Sequence, residues 1–232
     1  MVLDQLASAT AVLSEDEKAL GVVVVDMGGG TCNLAYFING SVAHTSFIPV
    51  GGSHFTHDIA IGLRTPQVSA EDLKKKYGCA IASLVAENET IEVEGVGGRK
   101  SRTVLRRDLA EVIEPRAEET LQLIQNDIRM SGLMPLLGSG VVITGGGSQL
   151  EGLVEMGEFI FDLPVRKGLP GQVGGLNEVV KSPAYANAVG LLLHGLQKNQ
   201  KKYMATPASE DLITESLSTL GHKMKNFFSD LF

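Results

Sequence analysis

Two short stretches of this chain carry residue types that could hold a phosphorylated ligand. The first, Val22 to Asn33 (VVVVDMGGGTCN), runs four β-branched residues into Asp26, then Gly28, Gly29 and Gly30, then Thr31. A buried strand would deliver Asp26 to its end. The glycines would let the backbone turn with φ > 0 and aim N–H groups at an anion, with the Thr31 hydroxyl as a further donor. No Lys-Ser/Thr pair follows and no helix opens directly after the glycines, so this is neither a Walker A loop nor a dinucleotide-binding turn. An unliganded glycine-rich hairpin would have the same sequence. The second stretch, from Gly140 (GVVITGGGSQLEGL), repeats the order: a short apolar strand, then Gly145, Gly146 and Gly147, then Ser148 in the position of a helix N-cap. A nucleotide clamped between two such turns accounts for both. Between them, Ser69 to Gly78 (SAEDLKKKYG) predicts a capped helix with Glu71 and Lys74 one turn apart on the same face. Considered alone, that pair would be a solvated ion pair.

The elements that must position these residues follow from hydrophobic spacing. Asp4 to Leu20 contains a helical stretch leading into the strand at Val22. Strands are expected at Leu34 to Ile38 and Val42 to Pro49, and Gly51-Gly52 turns the chain into an amphipathic helix, Ser53 to Leu63, punctuated by Pro66. That order belongs to an α/β core. The helix bearing Glu71 and Lys74 is followed by short strands around Thr90 to Val96 and Thr103 to Leu105, and by a long helix from Asp108 to about Ser131. A helix from Pro183 to Gln197 closes the globular part. After Gln197 the sequence KNQKKYMATPASEDLITES is too polar to bury an apolar face, and residues 199–216 taken as coil would reach roughly 20 to 25 Å.

Hydrophobicity returns in LSTLGHKMKNFFSDLF, where Leu217, Leu220, Met224, Phe227, Phe228, Leu231 and Phe232 fall on one face of a helix, with Lys223 and Lys225 on the other side. At about 24 Å this helix is too short to cross the hydrocarbon core. It could dock on its own lobe, sit in a partner's groove, or lie in a lipid surface. The preceding tether, the three phenylalanines and the flanking lysines favour the lipid surface. Two lysines give only modest attraction to anionic lipid, so binding by one copy would be reversible and assembly would supply avidity.

With 232 residues, 44% of them hydrophobic, the chain can bury a sizeable core. A formal net charge of −7 argues against a general nucleic-acid binder. The two cysteines, Cys32 and Cys79, lack a CxxC pattern and point to reduced thiols, and the five histidines show no metal-ligand spacing. No secretory leader pattern opens the sequence, and no apolar run is long enough to span a bilayer.

Six segments, in order, carry a resemblance to a known family: Leu6 to Leu13 (LASATAVL), the DMGGGT hairpin, Phe47 to Leu63 (FIPVGGSHFTHDIAIGL), the AEDLKKKYG helix, Arg106 to Glu118 (RRDLAEVIEPRAE) and VVITGGGSQLEGL. Over roughly residues 1 to 197 the chain resembles the FtsA family of bacterial cell-division proteins, within the actin, sugar-kinase and DnaK-type chaperone ATPases. The resemblance implies an actin-like second lobe: subdomain IIA over 1–66 and 137–198, an inserted subdomain IIB over 67–136, a linker over 199–216 and a membrane-targeting helix over 217–232. Family members are close to twice this length, so the first lobe, with its half of the nucleotide cleft, is expected to be missing from this chain. It implies ATP with Gly28, Gly29, Gly30 and Thr31 at the phosphates, Asp26 near magnesium through water, Glu71 and Lys74 at the adenosine, and Gly145, Gly146 and Gly147 at the base and ribose. It further implies the FtsZ C-terminal peptide as partner at Arg106 and Arg107, self-association into filaments, and a peripheral place on the cytoplasmic face of the inner membrane at the septum. Of the groups that orient water in hydrolysing relatives only Asp26 is visible, so the chain is read as an adaptor and not an enzyme. A pilus-assembly (PilM-like) or chaperone-like ATPase lobe is the alternative, supported by the glycine turns alone.

Overall fold

The computed structural model describes residues 1–171 and 180–205. The chain divides into a unit Met1–His194 and a second unit Gly195–Phe232. The helical entry is two helices, α1 (Asp4–Val12) and α2 (Glu15–Leu20), separated because Ser14 caps α2 in a reciprocal box with Glu17. Three antiparallel strands follow: β1 (Val22–Met27), β2 (Cys32–Ile38) and β3 (Ser41–Ile48). Asn39 and Gly40, both with positive φ, make the tight turn between β2 and β3. Next come α3 (Gly52–Gly62), α4 (Gln67–Tyr77), the ribbon β4 (Thr90–Val93) and β5 (Arg102–Leu105), and the long helix α5 (Arg106–Met130). The chain then returns through β6 (Val141–Thr144), α6 (Leu153–Phe161) and β7 (Val165–Lys167) to α7 (Ala186–Ala205).

The main sheet has the order β3-β2-β1-β6-β7, with β6 and β7 joined parallel to β1. Every residue of β1 is buried because β1 is central and both faces are covered. Alternation decides the partners. Val23, Val25 and Met27 join Leu34, Tyr36, Ile143 and the inward faces of α3, α5 and α6, including Ile59, Leu109, Ile113, Leu121, Ile124 and Phe161. Val22 and Val24 face the opposite layer with Ala9, Val12, Ala186 and Val189 of α1 and α7. Helix α5 is further riveted to the sheet by Asp127, whose Oδ1 accepts hydrogen bonds from the Tyr36 hydroxyl at 2.5 Å and the Ser46 hydroxyl at 2.7 Å. Of the 67–136 segment, α5 thus shares the core of the sheet, while β4 and β5 form a separate two-stranded ribbon.

Three local expectations are corrected. Helix α4 begins at Gln67 with Pro66 at its N-cap, so Ser69 lies inside the first turn and its hydroxyl bonds Glu94 across to the ribbon. Ser148 does not cap a helix: it sits in a 3-10 turn, its hydroxyl donates to the Gly145 carbonyl at 2.8 Å, and α6 starts later, at Leu153 after left-handed Gly152. Helix α7 runs through Gln197 to Ala205, so the first residues of the expected linker are helical. Lys, Gln, Met and Ala are good helix formers, and their polarity alone does not end a helix already started. The remainder of the linker, and the apolar face formed by Leu217, Leu220, Met224, Phe227, Phe228, Leu231 and Phe232 with Lys223 and Lys225, lie outside the described residues. Among the described residues no helix is long and apolar enough to cross a membrane.

Candidate nucleotide site

The hairpin between β1 and β2 is held from behind by the N-terminus of α3. The Gly52 and Ser53 amides donate to the carbonyls of Gly28 and Gly29 at 2.9 and 2.7 Å, and the Ser53 hydroxyl donates to the Gly29 carbonyl at 2.6 Å. The Gly28 amide closes the turn on the Thr31 carbonyl at 2.8 Å. Among the described residues no hydrogen bond takes up the amides of Gly29 and Gly30, which are exposed with open space above their Cα atoms. Such paired free amides can receive an anion. The expectation that these glycines need φ > 0 is not met: none of Gly28, Gly29 or Gly30 adopts it. The close approach lies across the turn at Gly51, where a Cβ would stand 2.7 Å from the Gly28 carbonyl oxygen and from the Thr31 nitrogen.

The second turn divides its labour. Gly145, at φ +83°, packs so tightly on the end of β1 that a Cβ would fall 2.4 Å from Asp26 Oδ1 and 2.6 Å from the Met27 carbonyl oxygen. Gly147 also rests on Met27, whereas Gly146 has nothing within 4 Å of its Cβ position. Asp26 itself is 8% exposed, and its Oδ2 accepts a hydrogen bond from the buried Ser8 hydroxyl. Burial pushes its carboxyl above the usual range, the Ser8 hydrogen bond opposes this, and the charge of Asp4 adds to it. Cys32 is fully buried; its thiol donates to the Val50 carbonyl and is pushed up to about 12 by burial and by the Asp26 charge.

Glu71 and Lys74 do lie on one face of α4, at 2.7 Å, but the pair is not simply solvated. The Lys74 ammonium also donates to the Gly52 carbonyl at 2.7 Å and the Thr56 hydroxyl at 2.8 Å, and Thr56 donates in turn to Glu71. All three Lys74 donors are thereby committed, and α4 is tied to the helix that backs the glycine hairpin.

These parts meet on an open cleft of about 1130 Å³, lined by Gly28, Gly29, Glu71, Lys74, Gly146 and Gly147 together with Ser53, Thr56, Gln149 and Arg106. Asp26, Gly30, Thr31 and Gly145 are not among its lining residues. Ser53 and Thr56 were missed in the sequence, although their place just after Gly51-Gly52, at the start of a helix, was a usable signal. Arg106 is turned inward: it donates to the Tyr77 carbonyl at 2.8 Å, to Glu89 at 3.0 Å and to Glu151, and its side chain is 16% exposed. Arg107 is 42% exposed and pairs with Glu111 at 3.2 Å. The two arginines, adjacent in sequence, therefore do not make one basic patch.

A sheet of three antiparallel strands extended by two parallel ones, with the two glycine turns meeting on an open cleft, defines a lobe of the actin-like fold class. MreB5 of Spiroplasma citri bound to AMPPNP matches it with a TM-score of 0.64 at 21% identity, over 86% of this chain and 60% of that one. A MamK double helical filament matches with a TM-score of 0.60 at 16% identity, over 83% and 58%. The family described as cell division protein FtsA matches residues 23–190, and the FtsA of Pseudomonas aeruginosa is 51% identical over 198 residues. The chain belongs to the FtsA family of cell division proteins. It spans about half the length of that relative, 85% of this chain aligning with 48% of the other.

Proposed function

We propose that this chain supplies the second-lobe wall of an ATP site in an FtsA-type protein that tethers FtsZ filaments to the inner face of the cytoplasmic membrane. The observation that carries the nucleotide part is the convergence of both glycine turns and the Glu71–Lys74 network on one cleft. The unpaired Gly29 and Gly30 amides suit phosphate oxygens, open Gly146 admits a flat group, and Asp26 offers a carboxylate to a hydrated magnesium ion. In the intact family the bound nucleotide would govern assembly into filaments, and this chain aligns with 48% of the length of its Pseudomonas aeruginosa relative. With one wall only, a triphosphate keeps water on its other side and loses opposing donors. Calorimetry of the polypeptide should therefore show no micromolar ATP affinity, and a micromolar constant would overturn the one-wall reading.

The membrane part rests on the apolar face at Leu217 to Phe232. The full chain should co-sediment with anionic vesicles, and a version ending at Ser216 should stay in the supernatant, with or without ATP. Equal sedimentation of the two would remove the tether reading.

For the FtsZ tail peptide, internal pairing of Arg106 separates the two arginines. Arg107→Glu should weaken peptide binding several-fold with little loss of stability, since an exposed i,i+4 pair contributes about 0.5 kcal/mol or less. Arg106→Glu should destabilise the fold, because it places a carboxylate against Glu89 and Glu151. Unchanged peptide affinity in Arg107→Glu, measured by fluorescence anisotropy, would exclude this place for the peptide.

A further inference from the structure

Helix α1 carries a serine where its inward face is otherwise largely alanine and valine: Ala7, Ser8, Ala9, Ala11 and Val12 are all buried, and Ser8 is 0% exposed. A hydroxyl there weakens the helix and costs desolvation unless it has a partner. Its partner is Oδ2 of Asp26. The position of Ser8 is itself over-determined, because a Cβ at Gly190 of α7 would stand 1.8 Å from the Ala7 carbonyl oxygen, so the two helices touch backbone to backbone beside it. The other carboxylate oxygen behaves differently. Oδ1 lies against the Cα of Gly145, no hydrogen bond among the described residues uses it, and it is not one of the fully enclosed unpartnered atoms. One oxygen is anchored from the helix, and the other, beside Gly145, is without a hydrogen-bond partner among the described residues and not fully enclosed.

We propose that Ser8 is a positioning residue: by anchoring Oδ2 it sets the Asp26 carboxylate so that Oδ1 faces the hydrated divalent cation accompanying a nucleoside triphosphate. This rests on the nucleotide reading given above. Ser8 touches neither nucleotide nor cation. It acts by restricting rotation of a carboxylate that would otherwise turn in its strand-end niche, and it links the helix α1, packed against α7, to the cation side of the site.

The test is an NMR titration of the full chain with ATP up to millimolar concentration, once with magnesium and once with EDTA. The unaltered chain should bind about five- to tenfold more tightly with magnesium, the net worth of one ordinary hydrogen bond to a cation-bound water. Ser8→Ala should reduce that gain to less than about twofold while leaving the EDTA affinity unchanged, and Ser8→Thr, which keeps a hydroxyl, should restore it. In an Asp26→Asn background, where the gain is already lost, Ser8→Ala should change nothing further. A magnesium gain that survives Ser8→Ala overturns the proposal, as does an equal loss in both buffers, which is what a merely structural serine would give. Absence of any magnesium gain in the unaltered chain also overturns it while leaving nucleotide binding intact. No ATP binding in either buffer removes the nucleotide reading for this chain, and the proposal with it. Should Ser8→Ala fail to give a folded amide spectrum, the Ser8→Thr and Asp26→Asn titrations decide alone: Ser8→Thr must keep the gain and Asp26→Asn must lose it.

Discussion

Gly145→Ala should cost the unit Met1–His194 about 2 to 5 kcal/mol, while Gly146→Ala, one residue away, should change stability by about 0.5 kcal/mol or less. At Gly145 a methyl group meets two penalties. The φ of +83° is a left-handed conformation that costs a residue with a Cβ about 1 to 2 kcal/mol. The new Cβ would also overlap Asp26 Oδ1 and the Met27 carbonyl oxygen, and neither can retreat without shifting the central strand, an overpacking cost of about 1 to 3 kcal/mol. At Gly146 the Cβ position is empty to 4 Å and the φ is not positive. Its substitution should act on the ligand instead, narrowing the cleft that Gly146 lines. Urea unfolding followed by circular dichroism separates the two. Equal midpoints for Gly145→Ala and Gly146→Ala would refute the strand-end packing described for the second turn.

Lys74→Met should lower stability by about 2 to 3 kcal/mol and loosen the glycine hairpin between β1 and β2. The substitution keeps the aliphatic stem but leaves the Gly52 carbonyl, the Thr56 hydroxyl and the Glu71 carboxylate short of a partly buried cationic donor, and a hydrogen bond to a charged group contributes about 1.5 to 3 kcal/mol. Glu71 reports the same network through pH. Burial alone would raise its carboxyl, but hydrogen bonds from Lys74 and Thr56, the Lys74 charge and a bond from Lys75 prevail and hold it at about 2, below its ordinary 4.5. Because the folded state depresses the pKa, this contribution is complete above pH 4.5 and is lost as pH falls towards 2. Glu71 is about one-third exposed, so solvent screening reduces the effect to about 1 to 2 kcal/mol. Between pH 5 and pH 2.5 the urea midpoint of the unaltered chain should fall, and that of Lys74→Met should fall less. Parallel acid limbs would mean that Lys74 does not hold Glu71 ionised. Loosening of the hairpin should appear as faster hydrogen exchange at Ser53, whose amide bonds the Gly29 carbonyl.

Much of the fold was legible because its signals are local. Four valines in a row before Asp26 announced a strand buried on both faces, and β1 is that strand. The apolar stripe of α5 and the glycine runs after β1 and β6 were equally visible. Errors fell where a local signal competes with a contact distant in sequence. Ser69 and Ser148 both have N-cap chemistry, yet the hydroxyl of one is drawn to Glu94 on the ribbon and the other closes its own turn on Gly145. Gly28 to Gly30 carry the composition of a left-handed turn, but the requirement for a missing side chain sits at Gly51, across the turn from them. Arg106 and Arg107 look alike in the sequence, and the Tyr77 carbonyl with Glu89 and Glu151 turns one of them inward.

By itself the sequence determined most of the order of strands and helices, which follows from periodicity and turn chemistry, and its motifs in their order carried the resemblance to the family to which the chain belongs. Tertiary structure alone decided which of the candidate residues line one cleft, that Asp26 stands behind it on a hydroxyl from α1, and that Lys74 grips the helix behind the glycine hairpin. The physical reason is range: backbone preference and side-chain alternation act over a few residues, whereas enclosure of a carboxylate or an ammonium depends on groups brought together from distant positions by the packing of the sheet.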